Sequence, residues 1–115
     1  MALTDAFKKA DELGGEGRYF DAHEELEAFW MKASGDEKIL LQGLIQVAAG
    51  LHRLKRDPAK TDGAFYLLDR GREKLLKTKS LLVPATLDAL CRELAEIRAS
   101  GKAPDALVFG LKAPA

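Results

Sequence analysis

The chain has 115 residues, with 18 Lys and Arg side chains balancing 18 Asp and Glu side chains. Its 47% hydrophobic and 31% charged content is that of one soluble globular domain. The single cysteine, Cys91, excludes a disulfide framework and a cysteine zinc cage, and favours a reducing, cytoplasmic compartment. The first residues, MALTDAFKKADELGGEG, lack the apolar stretch of a secretory signal. The longest apolar run, residues 39–54, is broken by Gln42, Gln46 and His52, so we expect no membrane span.

Charge is unevenly distributed along the chain. Residues 1–37 hold four basic and ten acidic side chains, a net charge of −6, whereas residues 38–79 hold ten and four, a net charge of +6. This separation indicates electrostatic pairing within the chain, or two chains that meet head to tail. A nucleic-acid-binding domain would more often carry an uncompensated basic face, so a nucleic-acid partner is not expected.

Apolar residues recur at helical spacing and no stretch alternates as a strand does, which predicts an all-α fold. The first helix is expected over Thr4–Leu13, with Thr4 as N-cap, and ends at the glycines of residues 14–17. The second runs over about Arg18–Ala33. The third begins at a capping box, Ser34-Gly-Asp-Glu37, and reaches about Arg56.

Two further helices complete the prediction. Asp57-Pro58 reads as an N-cap followed by proline at the first helical position, so the fourth helix is expected from there to about Lys79. Val83-Pro84 opens the fifth, which stops at Gly101. The tail after Gly101 carries Leu107, Val108, Phe109 and Leu111, and we expect it to pack back on the helices.

The third helix is apolar on nearly every side, which is typical of a helix surrounded by others. We therefore expect one compact domain over residues 1–115, a bundle of about five antiparallel helices around this central one. Its glycines, Gly43 and Gly50, favour close approach of neighbouring backbones.

The second helix carries the candidate site. His23, Glu27 and Trp30 are spaced by four and three and therefore share one stripe. Folding the second and third helices as a hairpin about Gly35 places Gln42 and Gln46 level with that stripe. A buried unpaired amide costs about 1–3 kcal/mol, so Gln42 and Gln46 are expected to bond Glu27 and His23.

The same estimate places His52 opposite Arg18, outside this cluster. The glycine-rich loop of residues 14–17 lies just before the second helix. It is expected to leave an opening, so that His23 borders a cleft while Trp30 lies deeper.

Two stretches resemble an uncharacterised prokaryotic family, domain of unknown function 309. They are GRYFDAHEELEAFW, residues 17–30, which is similar to the family's HxxxExxW motif, and LQGLIQVAA, residues 41–49. Gly63-Ala64 and Leu67-Leu68 also resemble its pattern, so the likeness covers about residues 4–80. It implies a compact helical domain with His23, Glu27 and Trp30 as signature residues, and no activity. Thr61-Asp62 departs from the family, which often has Asn before the Gly-Ala pair.

Three roles remain open for the cluster of His23, Glu27, Trp30, Gln42 and Gln46. It is a structural hydrogen-bond network, a site for a small molecule or protein partner, or the centre of a metal-dependent hydrolase. In the last case His23 and Glu27 would be the metal ligands, but HExxE lacks the second histidine of HExxH. The residues assign no cofactor, reaction or substrate, and a homo-oligomer is possible.

Overall fold

The computed structural model describes residues 2–115, whose regular structure is entirely helical. The five helices are α1 (Ala2–Gly14), α2 (Tyr19–Lys32), α3 (Gly35–Arg56), α4 (Asp62–Lys77) and α5 (Pro84–Ser100), with a 3₁₀ turn at Lys79–Leu81. The predicted all-α class is therefore confirmed. Within this part of the chain, no helix combines the length and apolar character needed to span a membrane.

The helix α3 lies at the centre of the bundle, as its composition predicts. Its buried side chains include Leu40, Leu44, Val47 and Leu51, none of which retains exposed surface. It packs most extensively against α4 and then against α2, and α2 in turn packs against α1. A helix with neighbours on both sides has to be apolar over most of its circumference, which explains its sequence.

Glycines set the spacing between α3 and α4. A Cβ atom at Gly71 would lie 2.6 Å from the carbonyl oxygen of Gly43, and one at Gly43 would lie 2.9 Å from that of Gly71. About two turns further along α3, Gly50 packs against Leu68 and the carbonyl of Ala64. The flank of α3 that holds Gly43 and Gly50 is therefore the flank that faces α4.

The helix ends confirm some predictions and correct others. Pro84 follows the N-cap residue Val83 of α5, and Gly101 ends that helix with φ of 70°, both as expected. Thr4 is not an N-cap, because α1 already begins at Ala2. Ser34 occupies the N-cap position of α3, but its side chain makes no capping bond.

The predicted start of α4 at Asp57-Pro58 is wrong. The backbone N–H of Asp57 bonds to the carbonyl of Arg53, so Asp57 closes α3 instead of opening α4. Its own carbonyl accepts from the N–H of Lys60, which makes Pro58 part of a turn. The helix α4 begins four residues after Pro58, at Asp62.

The tail after α5 lies along α1 and the start of α2. Its side chains Leu107, Phe109 and Leu111 are buried. The N–H of Leu107 bonds to the carbonyl of Gly14, and the N–H of Gly110 bonds to Oδ1 of Asp11 at 3.0 Å. These contacts join the two ends of the described chain.

Tyr19 fixes the start of the tail. Its hydroxyl donates to the carbonyl of Pro104 at 2.6 Å. Burial, together with the nearby Asp105 carboxylate, raises the pKa of Tyr19 to about 12, so the hydroxyl remains a donor at neutral pH.

Candidate functional site

The stripe of His23, Glu27 and Trp30 lies on α2 beside its core-facing side, which buries Tyr19 and Leu26. Nε2 of His23 lies 2.8 Å from Oε1 of Glu27, one helical turn away. The His23 side chain is 26% exposed and that of Glu27 is 49% exposed. The pair therefore sits at the protein surface, with the ring turned inward and the carboxylate turned to solvent.

Two ring nitrogens on this stripe have no partner. Nδ1 of His23 and Nε1 of Trp30 are both buried, and neither makes a hydrogen bond within the described chain. The Nζ atom of Lys38 lies 4.3 Å from the centre of the Trp30 ring and covers part of it. In a sealed structural network these nitrogens would be bonded to protein, and here they are not.

The predicted bonds from Gln42 and Gln46 to α2 are wrong. Gln46 accepts a hydrogen bond from Lys74 of α4 at 3.0 Å, and Gln42 is exposed. The reason is the orientation of α3: Gln46 lies three residues after Gly43 and four before Gly50, so it shares their α4-facing flank. Lys74 is thus the partner of Gln46, which the sequence did not indicate.

His52 belongs to the site, contrary to the prediction. The Phe20 ring lies 5.1 Å from that of His52 and 5.8 Å from that of His23, and so joins the two histidines. Burial lowers the pKa of His52, and the charges of Arg56 and His23 lower it further. The hairpin estimate placed His52 opposite Arg18, two residues before its actual neighbour Phe20. This error excluded His52 from the predicted cluster.

The expected opening beside His23 is also wrong. The tail covers the glycine-rich loop, because Asp105 packs its carbonyl against Gly17 and Leu107 bonds to Gly14. Lys55 adds a weak bond to the carbonyl of Gly17 at 3.4 Å. Residues of the tail therefore cover the loop, and the sequence of the α2 motif does not indicate where the tail packs.

The donor set for a metal ion is small. His23 and Glu27 contact each other, and residues 2–115 contain no group of three or more His, Cys, Asp or Glu side chains arranged around a common point. A catalytic zinc commonly has three protein ligands. His23 and Glu27 could supply two.

We use the name polar face for the residues of three separate sets of contacts: those around His23, those of Lys38 with Trp30, and those of Lys74 with Gln46. It comprises His23, Glu27 and Trp30 with Phe20 from α2, Lys38, Gln46 and His52 from α3, and Lys74 from α4. Among its residues Lys38 and Lys74 are basic and Glu27 is acidic. Partial burial lowers the pKa of Lys74, and Arg70 lowers it further.

Comparison with known proteins identifies the family. The family model described as domain of unknown function (DUF309) matches residues 7–67, more than half of the chain. This span contains every residue of the polar face except Lys74. No curated protein and no solved structure matches the chain. The chain belongs to the DUF309 family.

Proposed function

We propose that this protein binds a small anionic ligand on the polar face and that its role there is not catalytic. The observation that carries the proposal is the pair of unpartnered nitrogens, His23 Nδ1 and Trp30 Nε1. An indole N–H can only donate, and leaving a buried donor unpaired costs about 1–3 kcal/mol. A ligand oxygen that accepts from Trp30 would recover this cost.

The sign of the ligand charge follows from the surrounding side chains. Lys38 lies over the Trp30 ring, and Lys74 lies beside Gln46. Partial burial removes some of the water around the Lys74 ammonium. A carboxylate or phosphate oxygen of the ligand would accept a charge-assisted hydrogen bond in its place. Glu27 is the one carboxylate of the face and is bonded to His23.

Access to the two nitrogens requires only side-chain motion. Phe20 is 46% exposed and its ring lies 5.8 Å from that of His23, while Lys38 lies over the Trp30 ring. Neither side chain belongs to the buried core, so both can change rotamer without disturbing it. Binding would thus displace Lys38 and Phe20 and leave the helices in place.

The experiment uses the fluorescence of Trp30, which is the single tryptophan of the chain. Inorganic phosphate and citrate are titrated as probes, and the melting temperature is recorded in parallel. We expect a saturable change in Trp30 emission and a rise in Tm over the same concentration range. Lys74→Met should weaken binding, whereas the control Lys77→Met, one turn away and exposed, should not.

Two outcomes would contradict the proposal. If neither probe changes Trp30 emission or Tm at millimolar concentration, the face is a structural network. If Zn²⁺ or Mn²⁺ binds near stoichiometrically and this binding is lost in both His23→Ala and Glu27→Gln, the metal-dependent hydrolase replaces the ligand-binding role.

We also propose a cytoplasmic location. The support is Cys91, a lone half-buried cysteine, which suits a reducing compartment. Fractionation of cells that express the full chain tests this, and recovery outside the cytoplasmic fraction would contradict it.

A further inference from the structure

A second surface lies on the opposite flank of α2 from the polar face. A groove of about 430 Å³ opens where the start of α1 meets the end of α2 and the start of α3. Its apolar walls include Phe29 and Leu41, and its charged lining consists of Asp5, Glu25, Glu37 and Lys32. We call this surface the acidic groove. The groove suits a partner that presents an apolar side chain flanked by positively charged groups.

The acidic groove belongs to the acidic first third of the chain. Residues 1–37 carry a net charge of −6 and residues 38–79 a net charge of +6. Within residues 2–115, no ion pair joins these two segments: the pairs lie within one segment or link Asp69 to Arg98. The charge separation indicated pairing either within one chain or between two chains. These ion pairs do not support pairing within the chain.

The complementary surface is on α4. Tyr66 is 63% exposed, and the guanidinium of Arg70 lies 5.9 Å from the centre of its ring. Residues 70–79 hold five basic side chains and one acidic one. We call Tyr66, Arg70 and Lys77 the basic crest. An exposed aromatic ring flanked by arginine is a common anchor of protein interfaces.

We propose that the chain self-associates head to tail, with the basic crest of one copy docked in the acidic groove of another. Tyr66 would fill the apolar part of the groove, and Arg70 and Lys77 would meet its carboxylates. We take a second copy as the partner because the groove is acidic and the basic crest complements it, while no residue of α4 lines the groove of its own chain. This inference is independent of any ligand on the polar face.

The expected association is weak and open-ended. One aromatic anchor buries about 150–250 Å², far less than the roughly 800 Å² per partner of a stable interface. Head-to-tail contacts join unlike surfaces, so they continue from copy to copy unless the rotation closes a ring. Larger species should therefore appear only as concentration rises.

Sedimentation velocity of the full chain over a concentration series tests the proposal. At low salt we expect the average mass to rise with concentration. At high salt it should fall to that of the monomer, because exposed charges are screened within about 3 Å at 1 M. A monomer under all conditions would overturn the proposal, as would an association that salt leaves unchanged.

Matched variants identify the two surfaces. Glu25→Lys should weaken association through the groove, and Arg70→Glu through the crest, each by at least about tenfold. The controls are Glu24→Lys, on the neighbouring residue of α2, and Arg92→Glu, on the exposed side of α5, and both should associate like the parent chain. Circular dichroism confirms that each variant is folded.

Mixing the two defective variants gives the sharpest result. The Glu25→Lys copy retains its crest and the Arg70→Glu copy retains its groove, so an equimolar mixture should associate although neither variant does so alone. If the mixture stays monomeric, or if each variant still associates alone, other surfaces are responsible and the proposal fails.

Discussion

At the scale of single residues, Glu27 differs most from its expected setting. The sequence indicated a buried carboxylate, for which Glu27→Gln would cost about 1–3 kcal/mol. In the fold this side chain is 49% exposed and forms an i, i+4 pair with His23. We therefore expect Glu27→Gln to lower the free energy of unfolding by about 0.5 kcal/mol or less. Urea denaturation measures this, with Glu24→Gln as control, and a loss above about 1 kcal/mol would show that Glu27 has partners beyond His23.

His52 should make stability depend on pH. Burial lowers its pKa below the ordinary value of 6.5, so the folded state disfavours the charged ring and the unfolded state takes up the proton first. The contribution of His52 to stability is complete above pH 6.5 and is lost as pH falls through its folded pKa. An NMR titration should give a midpoint below 6.5, and Arg56→Gln should raise it. A midpoint at or above 6.5 would mean that burial does not govern the titration of this ring.

The spacing of His23, Glu27 and Trp30 was sufficient to place these three on one flank of α2. It could not identify their neighbours, because a hairpin estimate gives height along α3 and not rotation about its axis. The missing information was present in Gly43 and Gly50, which needed a close neighbour. Had that neighbour been identified as α4, Gln46 would have been assigned to the same flank.

At the scale of helices, the crossing of α3 and α4 depends on Gly71. A Cβ at this position would lie 2.6 Å from the Gly43 carbonyl oxygen and 3.0 Å from the backbone nitrogen of Val47, and backbone atoms cannot rotate away. Gly71→Ala should therefore destabilise the fold by about 1–3 kcal/mol, although alanine favours an isolated helix by about 1 kcal/mol.

Thermal or chemical unfolding of Gly71→Ala measures this loss. Gly35→Ala is the matched control, since a Cβ there meets nothing within 4 Å and only its φ of 61° opposes the change. If Gly71→Ala proves no more costly than Gly35→Ala, the two helices can separate freely.

Helix boundaries were predictable where one residue has one role. Val83-Pro84 and Gly101 mark α5 correctly, because proline fits the first turn and glycine accepts a positive φ. Asp57-Pro58 was ambiguous, since an aspartate can close one helix as well as open the next. In the structure the backbone hydrogen bonds of α3 continue as far as Asp57, so this residue closes α3.

At the scale of the whole molecule, the tail completes the core. Burying Leu107, Phe109 and Leu111 contributes about 1.5–3 kcal/mol per side chain, together comparable to the total stability of a small domain. We expect removal of residues 103–115 to abolish the cooperative thermal transition, whereas removal of the exposed residues 114–115 should have little effect. A cooperative melt at the parent temperature after the longer truncation would show that the helices suffice alone.

The bond from Gly110 to Asp11 spans 99 residues of sequence, which has a consequence for the order of folding. Local helix pairing precedes the closure of so long a loop, and α1 to α4 leave the ribosome before the tail does. Phe109→Ala should therefore speed unfolding in stopped-flow experiments and leave the refolding rate nearly unchanged. Slower refolding would place the tail in the folding nucleus. A tail that docks last determines how long each molecule stays folded, and it has little influence on how quickly the molecule forms.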